Sequence, residues 1–230
     1  MGMLRQAGGH AFDLLFPAPA SGRSGQLRQT MLELEVQKRD SSIEALRRIE
    51  ETSAAASAWL GLGSIGYEIA RHFKPRRVVE LGSFGGYSTC AIAMALRDAG
   101  SSGRVYAVDT WQGDEHTHQY GESVYQEFLA KRKALGLEHI IEPMRMSFQE
   151  ASRVIEPGID LLHIDGWHKF SAVLADFRLF RRHLNRGALV MFHDVNTVFR
   201  GMRLFWKLVS AQYPSYLVPY GHGLGIIRVD

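Results

Sequence analysis

The chain of 230 residues has one cysteine, Cys90, so no internal disulfide can form, which suits a reducing compartment. No apolar run approaches the roughly 18 residues of a membrane span. The first 20 residues mix charge, glycine and proline and hold no clean signal-peptide core. Neither sign of charge dominates: Lys and Arg number 27 against 24 Asp and Glu, a net +3. A nucleic-acid binder would show a basic stripe interleaved with aromatics. Here the basic residues fall in separate groups, Lys74–Arg77, Arg178–Arg186 and Arg200–Lys207, and read as solvated helix faces and loops. No internal repeat is visible. These absences imply a cytoplasmic globular protein, with no membrane partner and with nucleic acid disfavoured.

What is present is one telling loop. Val78-Val79-Glu80-Leu81-Gly82-Ser83-Phe84-Gly85-Gly86-Tyr87-Ser88 is an apolar run that ends in an acid and passes at once into a glycine-rich turn. Cys90 to Leu96 follows as a buried helix on which the thiol is packing. Strand, tight loop and helix form the entrance of a nucleotide-type site in an α/β fold. The dinucleotide fingerprint G-x-G-x-x-G fails, because Phe84 and Tyr87 stand at its later glycine positions. The P-loop fails for want of a lysine. The remaining pattern, acid-x-Gly-x-x-Gly-Gly, suits a ligand with a cationic ammonium better than one with phosphates. S-adenosylmethionine (SAM) is such a ligand.

Through Glu80-Leu-Gly82-Ser-Phe-Gly85-Gly86 the chain resembles class I SAM-dependent methyltransferases, and further segments continue the resemblance in order. Val105 to Asp109 looks like their second strand, ending in the acid that binds the ribose hydroxyls. Met144 to Phe148 looks like the adenine-contacting turn. Ile159 to His168 and Ala188 to Asp194 look like strands four and five. The resemblance implies that SAM is held by Glu80, Gly82, Ser83, Gly85, Gly86, Ser88, Asp109, Thr110, Trp111, Ser147, Phe148 and Asp165. Trp111 reads equally well as an adenine stack or as core.

The chain divides into a flexible segment plus helical appendage, 1–52, and a methyltransferase domain, 53–230. Met1 to Gly25 is rich in Gly, Pro, Ala and Ser and reads as loose. Gln26 to Thr52 reads as helix, with Leu27, Met31 and Leu34 on one face and Ile43, Leu46 and Ile49 further on. The heptad fails at Lys38, leaving open packing on the core or pairing into a homo-oligomer. Ser53 to Phe73 adds a helical element. Beyond the first strand, β and α alternate, predicting a doubly wound, mostly parallel, seven-stranded sheet. Asn185-Arg186-Gly187 reads as a turn into strand five, and Val198 to Tyr213 as a helix stopped by Pro214. Tyr216 to Tyr220 and Leu224 to Val229 read as a hairpin about Gly221-His-Gly223, giving one antiparallel edge strand.

Glu80, Asp109, Asp165 and Asp194 all fall at the carboxyl ends of strands, where such sheets bind ligands. If strands four and five are neighbours, Asp165 and Asp194 lie close enough to share Mg²⁺ or another divalent cation, with His193 beside them. His168, three residues past Asp165, is placed to take the proton of an acceptor hydroxyl. As the plainer alternative, Asp165 and Asp194 could be helix N-caps. His163 reads as a core histidine. The pattern His-Ile-Asp165-Gly-x-His168 with Phe-His193-Asp194 resembles macrocin- and rhamnosyl-type sugar O-methyltransferases and cephalosporin-hydroxylase-like proteins. Asp109-Thr-Trp111-Gln-Gly113-Asp114 resembles the same group. In its metal-dependent members an acid tends to stand at the position of His193, and imidazole suits softer metals than Mg²⁺. His116, His118, Tyr120 and Tyr125 are read as a loop open to either lid or plain surface. The reading is an O-methyltransferase with catalytic residues Asp165, His168 and Asp194, acting on a small hydroxylated acceptor such as a sugar or natural-product glycoside. A methyltransferase of RNA or protein, and a non-catalytic SAM-binding assembly protein, stand as alternatives.

Overall fold

Short apolar strands that alternate with helices give side chains to two faces in turn, and both faces here find a helical layer. The computed structural model describes residues 24–36, 40–52, 57–113 and 120–230. The proposed looseness of 1–23, the heptad break at Lys38 and the loop histidines 116 and 118 lie outside these residues. The first helices are α1 (Ser24–Val36), α2 (Asp40–Glu51) and α3 (Gly63–Phe73). There follow β1 (Arg77–Leu81), α4 (Tyr87–Asp98), β2 (Arg104–Asp109), α5 (Glu122–Ala134), β3 (Ile141–Arg145) and α6 (Phe148–Val154). The remainder is β4 (Ile159–Ile164), α7 (Phe170–Arg181), β5 (Leu184–His193), α8 (Arg200–Val209), β6 (Ser215–Val218) and β7 (Leu224–Arg228).

The sheet has seven strands in the order β3-β2-β1-β4-β5-β7-β6. β1 to β5 run parallel to one another, and β7 is antiparallel to both β5 and β6. The antiparallel strand is therefore not at the edge, as the hairpin reading had it; β6 is the edge and β7 lies inside. The chain leaves neighbouring β1 and β4 in opposite directions across the sheet, so their carboxyl ends form a topological switch point.

Period-two alternation sends Val78, Leu161 and Met191 into one core and their successors Val79, Leu162 and Phe192 into the other. Helices α1 to α5 cover the first core, and α6 to α8 the second. Leu27, Met31 and Leu34 of α1 are buried in that first core. On α2 the buried face is Ser42, Ala45 and Ile49, with Ile43 exposed and Leu46 half-buried, a rotation from the expected 43/46/49 stripe. The Asn185–Gly187 stretch lies within β5, where the register against β4 shifts between Ile159 and Leu161 and Gly187 takes φ 83°. The helix after β5 is shorter than expected, ending at Val209. No helix among the described residues is long and apolar enough to cross a membrane.

Candidate functional site

The glycine loop is held by backbone crossings that leave no room for side chains. Gly82 sits at φ +94°, and a Cβ there would lie 2.2 Å from the Asp165 carbonyl oxygen. The Gly82 N–H donates to Val108 O and the Asp165 N–H to Leu81 O, each at 2.9 Å. The loop after β1 and the loop after β4 thus touch through backbone alone. Gly86, the residue before α4, has φ +78°, and a Cβ would meet the Phe128 ring at 2.5 Å. Between them Phe84 adopts φ 43°, a costly conformation for a non-glycine. It is held there because its N–H donates to Asp109 Oδ2 at 2.9 Å and its carbonyl accepts from Trp111 Nε1 at 2.9 Å. The Gly85 carbonyl accepts from the buried Lys131 Nζ at 2.6 Å. Ser83 Oγ is buried with no hydrogen-bond partner among the described residues. An orphaned hydroxyl beside a pinned glycine turn fits a polar ligand.

The structure gives several expected cofactor residues internal partners. Glu80 is fully buried, accepting from Ser88 Oγ and Thr89 Oγ1 and lying 2.9 Å from His163 Nδ1. Its carboxylate ties β1 to the first turn of α4 and to β4, and Ser88 faces it rather than the loop mouth. His163 lies in the core as expected, but only its Nδ1 is engaged; its Nε2 is buried with no hydrogen-bond partner among the described residues. Trp111 is core: its ring packs on Tyr125 and Phe128 at 4.6 and 5.1 Å between centroids. Ser147 is the N-cap of α6 in a reciprocal pair with Glu150. Phe148 lies against Gly166, whose Cβ would come 2.8 Å from its ring. Thr110 Oγ1 accepts from Gln112 N at 3.3 Å. Asp109 is buried and accepts from Trp111 N at 2.7 Å, from Phe84 N and from Tyr120 OH. Burial pushes its carboxyl up, while those hydrogen bonds pull the other way.

At the ends of β4 and β5 the expected acids and histidines come together. Asp165 Oδ1 and Asp194 Oδ2 each lie 3.0 Å from His193 Nδ1. His168 Nε2 is 2.8 Å from Asp194 Oδ2 and 4.0 Å from Asp165 Oδ1. Its ring stacks on Phe199 at 4.3 Å and 9°. Asp194 takes φ 60°, a strained turn that aims its carboxylate back across the strand ends. Neither acid is a helix cap: the residue before α7 is Lys169, and that before α8 is Phe199. Burial alone would push the His193 imidazole down, but the charge and hydrogen bond of Asp165, aided by Asp194, hold it up at about 10. Burial pushes the Asp194 carboxyl up, and hydrogen bonds from His168 and His193 override it and hold it well below the usual range. Asp165 is also held low, burial being outweighed by the His193 charge. His193 therefore sits as an imidazolium between two carboxylates.

Two residues of this cluster escaped the sequence reading. Trp59 Nε1 donates to Asp165 Oδ2 at 3.3 Å, and its ring meets His163 and His193 at 4.8 and 5.6 Å between centroids. His222 Nδ1 lies 3.0 Å from Asp194 Oδ1. The signal for His222 was its position between two glycines in a turn; Trp59 had none beyond its size. The donor chemistry fits a divalent cation: Asp165, His168 and Asp194 offer atoms all within 4.8 Å of one another, as do His193, Asp194 and His222. The two carboxylates that hold a proton on His193 would hold a cation in its place. A cleft of about 250 Å³ at the opposite end of the sheet, lined by Phe73, Arg76, Asp160 and Arg186, contains none of these groups.

A family model described as a methyltransferase domain matches residues 79–195, just over half of the chain. An uncharacterized protein of Sinorhizobium fredii, y4gI, is 37% identical over 174 residues, which cover 74% of this chain but 19% of that protein. The chain thus spans about a fifth of the length of the curated relative it matches. Among solved structures, an SAH-bound methyltransferase of Podospora anserina superposes with a TM-score of 0.61 at 15% identity, covering 92% of this chain and 97% of its own. An O-methyltransferase of Bacillus cereus in complex with SAH gives 0.59 at 19%, covering 89% and 97%. The O-methyltransferase TomG of Streptomyces achromogenes, in complex with SAM, gives 0.57 at 18%, covering 90% and 99%. At these identities the likeness is one of fold.

Proposed function

The chain belongs to the methyltransferase domain family, and on that premise we propose that it is a SAM-dependent O-methyltransferase of a small hydroxylated molecule. The observation that carries the reading is the contact between Gly82 and Asp165. It sets the glycine loop directly against the acidic cluster, so a ligand in one is within bonding reach of a hydroxyl at the other. SAM supplies the electrophilic methyl group. The pinned loop, with Ser83 Oγ and Asp109, binds and orients it, and most of the rate gain is positioning.

His168 is the proton acceptor. Asp194 fixes its ring and stabilises the imidazolium that forms when the hydroxyl gives up its proton, while Phe199 walls one ring face. Asp165 and Asp194 supply the carboxylates that would hold a divalent cation, which when bound would lower the pKa of the acceptor hydroxyl. The acceptor class is a sugar or natural-product glycoside, a reading that rests on the family pattern. Calorimetric titration with SAM and S-adenosylhomocysteine (SAH) tests the proposal. Micromolar binding of either is expected, and failure of both to bind refutes it.

A further inference from the structure

We infer that the cleft at the amino ends of β1, β4 and β5 is a second ligand site, which takes a small phosphate monoester with an apolar body. It lies at the opposite end of the strands from the glycine loop and the acid–histidine cluster. Three observations carry the inference.

The first is the cavity and its cause. The pairing of β4 with β5 runs from Ile159↔Leu184 to Leu161↔Leu189, so five steps on β5 answer two on β4. The surplus residues form a bulge. Between it and the turn from α3 into β1 lies a cavity of about 250 Å³, whose apolar wall includes Ile69, Phe73, Leu161 and Leu189. That volume is just under the roughly 300 Å³ at which drug-sized pockets begin, so the ligand is a small molecule. The second is charge. Lys74, Arg76 and Arg186 line the same cavity, brought together from two basic groups far apart in sequence. All three are exposed, and none has a side-chain hydrogen bond or ion pair among the described residues. The one acid in the wall, Asp160, is engaged by the frame. Its Oδ2 accepts from the N–H groups of Arg76 and Arg77 at 2.8 and 3.2 Å, and its Oδ1 from Asn185 Nδ2 at 2.6 Å. Three cations and one carboxylate leave a local charge of +2. A phosphate monoester carries about −1.5 to −2 at pH 7 and so complements it, whereas a carboxylate carries only half as much. The third is rigidity. Lys74 takes φ 47° with its N–H on Ala70 O at 3.0 Å, and the Arg76 carbonyl accepts from Arg104 N at 3.0 Å. On the facing wall the Gly187 N–H donates to Val229 O at 2.6 Å. The cations stand on backbone that is already fixed, which lowers the ordering cost of binding. The apolar wall beside them favours a compact ester over a nucleic-acid backbone, which binds along an open basic stripe.

The test titrates the full chain with phenyl phosphate by calorimetry at low ionic strength and pH 8, with and without SAH. One equivalent is expected to bind with a dissociation constant below about 1 mM, and inorganic phosphate about tenfold more weakly for want of the apolar contact. Lys74→Gln, Arg76→Gln and Arg186→Gln should each weaken phenyl phosphate about tenfold. Arg178→Gln, which removes an exposed cation outside the cleft, should leave it unchanged. The three cleft cations are exposed, so their loss should leave the fold intact, and any one variant that folds decides the matter. No binding of phenyl phosphate, inorganic phosphate bound as tightly, or an equal loss in Arg178→Gln overturns the inference. Displacement of phenyl phosphate by SAH also overturns it, because the ester would then sit in the glycine loop. A single-stranded RNA of about ten nucleotides that binds more tightly and displaces the ester would make this face a nucleic-acid track instead. Failure of SAH to bind refutes the methyltransferase proposal and leaves this one standing.

Discussion

Replacing Asp176 with asparagine should stabilise the protein at pH 8 and leave it nearly unchanged at pH 4. Asp176 lies on α7 with 7% of its surface exposed. No hydrogen bond or ion pair reaches its carboxylate among the described residues, and its Oδ2 is 3.6 Å from where a Cβ on Gly166 would stand. Burial alone pushes its carboxyl up to about 7. In the unfolded chain an aspartate titrates near 3.9. The folded state therefore keeps its proton after the unfolded state has lost it. Stability from this group is fully present below about pH 4, declines as pH rises, and is gone above about pH 7. A shift of some three units corresponds to about 4 kcal/mol as an upper bound, of which local relaxation and water entry would leave about 2 to 3. Asparagine has nearly the same shape and no charge to desolvate. Urea melts of wild type and Asp176→Asn at pH 4, 6 and 8 measure the difference directly, and subtracting the curves cancels the histidines. A difference that does not grow with pH, or a variant less stable at pH 8, would show that the acid has a charged or hydrogen-bonding partner in solution and would refute the reasoning.

Other outcomes follow from the same geometry. Gly82→Ala meets both a left-handed backbone and the Asp165 carbonyl, so it should cost about 3 kcal/mol or more in a urea melt and abolish SAH binding; unchanged affinity would mean the two loops are free to part. His168→Ala should lower kcat by about a hundredfold to ten-thousandfold while the SAH dissociation constant stays within about twofold. A parallel loss of SAH affinity would place the residue in cofactor binding instead. Lys131→Met removes the donor under Gly85 and should weaken SAH binding about tenfold, with a smaller effect in Lys131→Arg. Leu27→Ala should cost about 2 to 4 kcal/mol, because α1 is seated in the sheet's own core; a near-zero effect would mean that it is not.

The parts of this molecule legible in its sequence are those fixed by local pattern. Apolar strands ending in acids, the glycine turn and the alternation of strand and helix placed β1 to β5 and set Asp165, His168, His193 and Asp194 at the carboxyl ends of neighbouring strands. What was not legible depends on partners far along the chain. Nothing near Glu80 announces that Ser88, Thr89 and His163 will claim its carboxylate. Ser147 reads as a ligand-binding serine until Glu150 closes on it as a cap. The inward place of β7 is set by pairing with β5, whereas a hairpin pattern reports only that β6 and β7 are neighbours. Trp59 and His222 reach the site from distant parts of the chain, and no spacing rule joins residues so far apart. On α2 the small residues Ser42 and Ala45 are buried while Ile43 is exposed, so a stripe of large apolar residues does not mark its inward face.

The inward position of β7 bears on how the protein comes off the ribosome. β5 emerges with one edge bare, and the strand that covers it, residues 224–228, is made some thirty residues later. At about 5 to 20 residues per second the delay lasts a few seconds. In that interval β5, with the apolar run Leu189 to Phe192, offers an unpaired edge to any other nascent strand. His222, which holds Asp194, arrives in the same late segment. Completion of the sheet and completion of the acid–histidine cluster are thus one event in the life of the chain, and a polypeptide released before it would keep an open cluster and an adhesive edge.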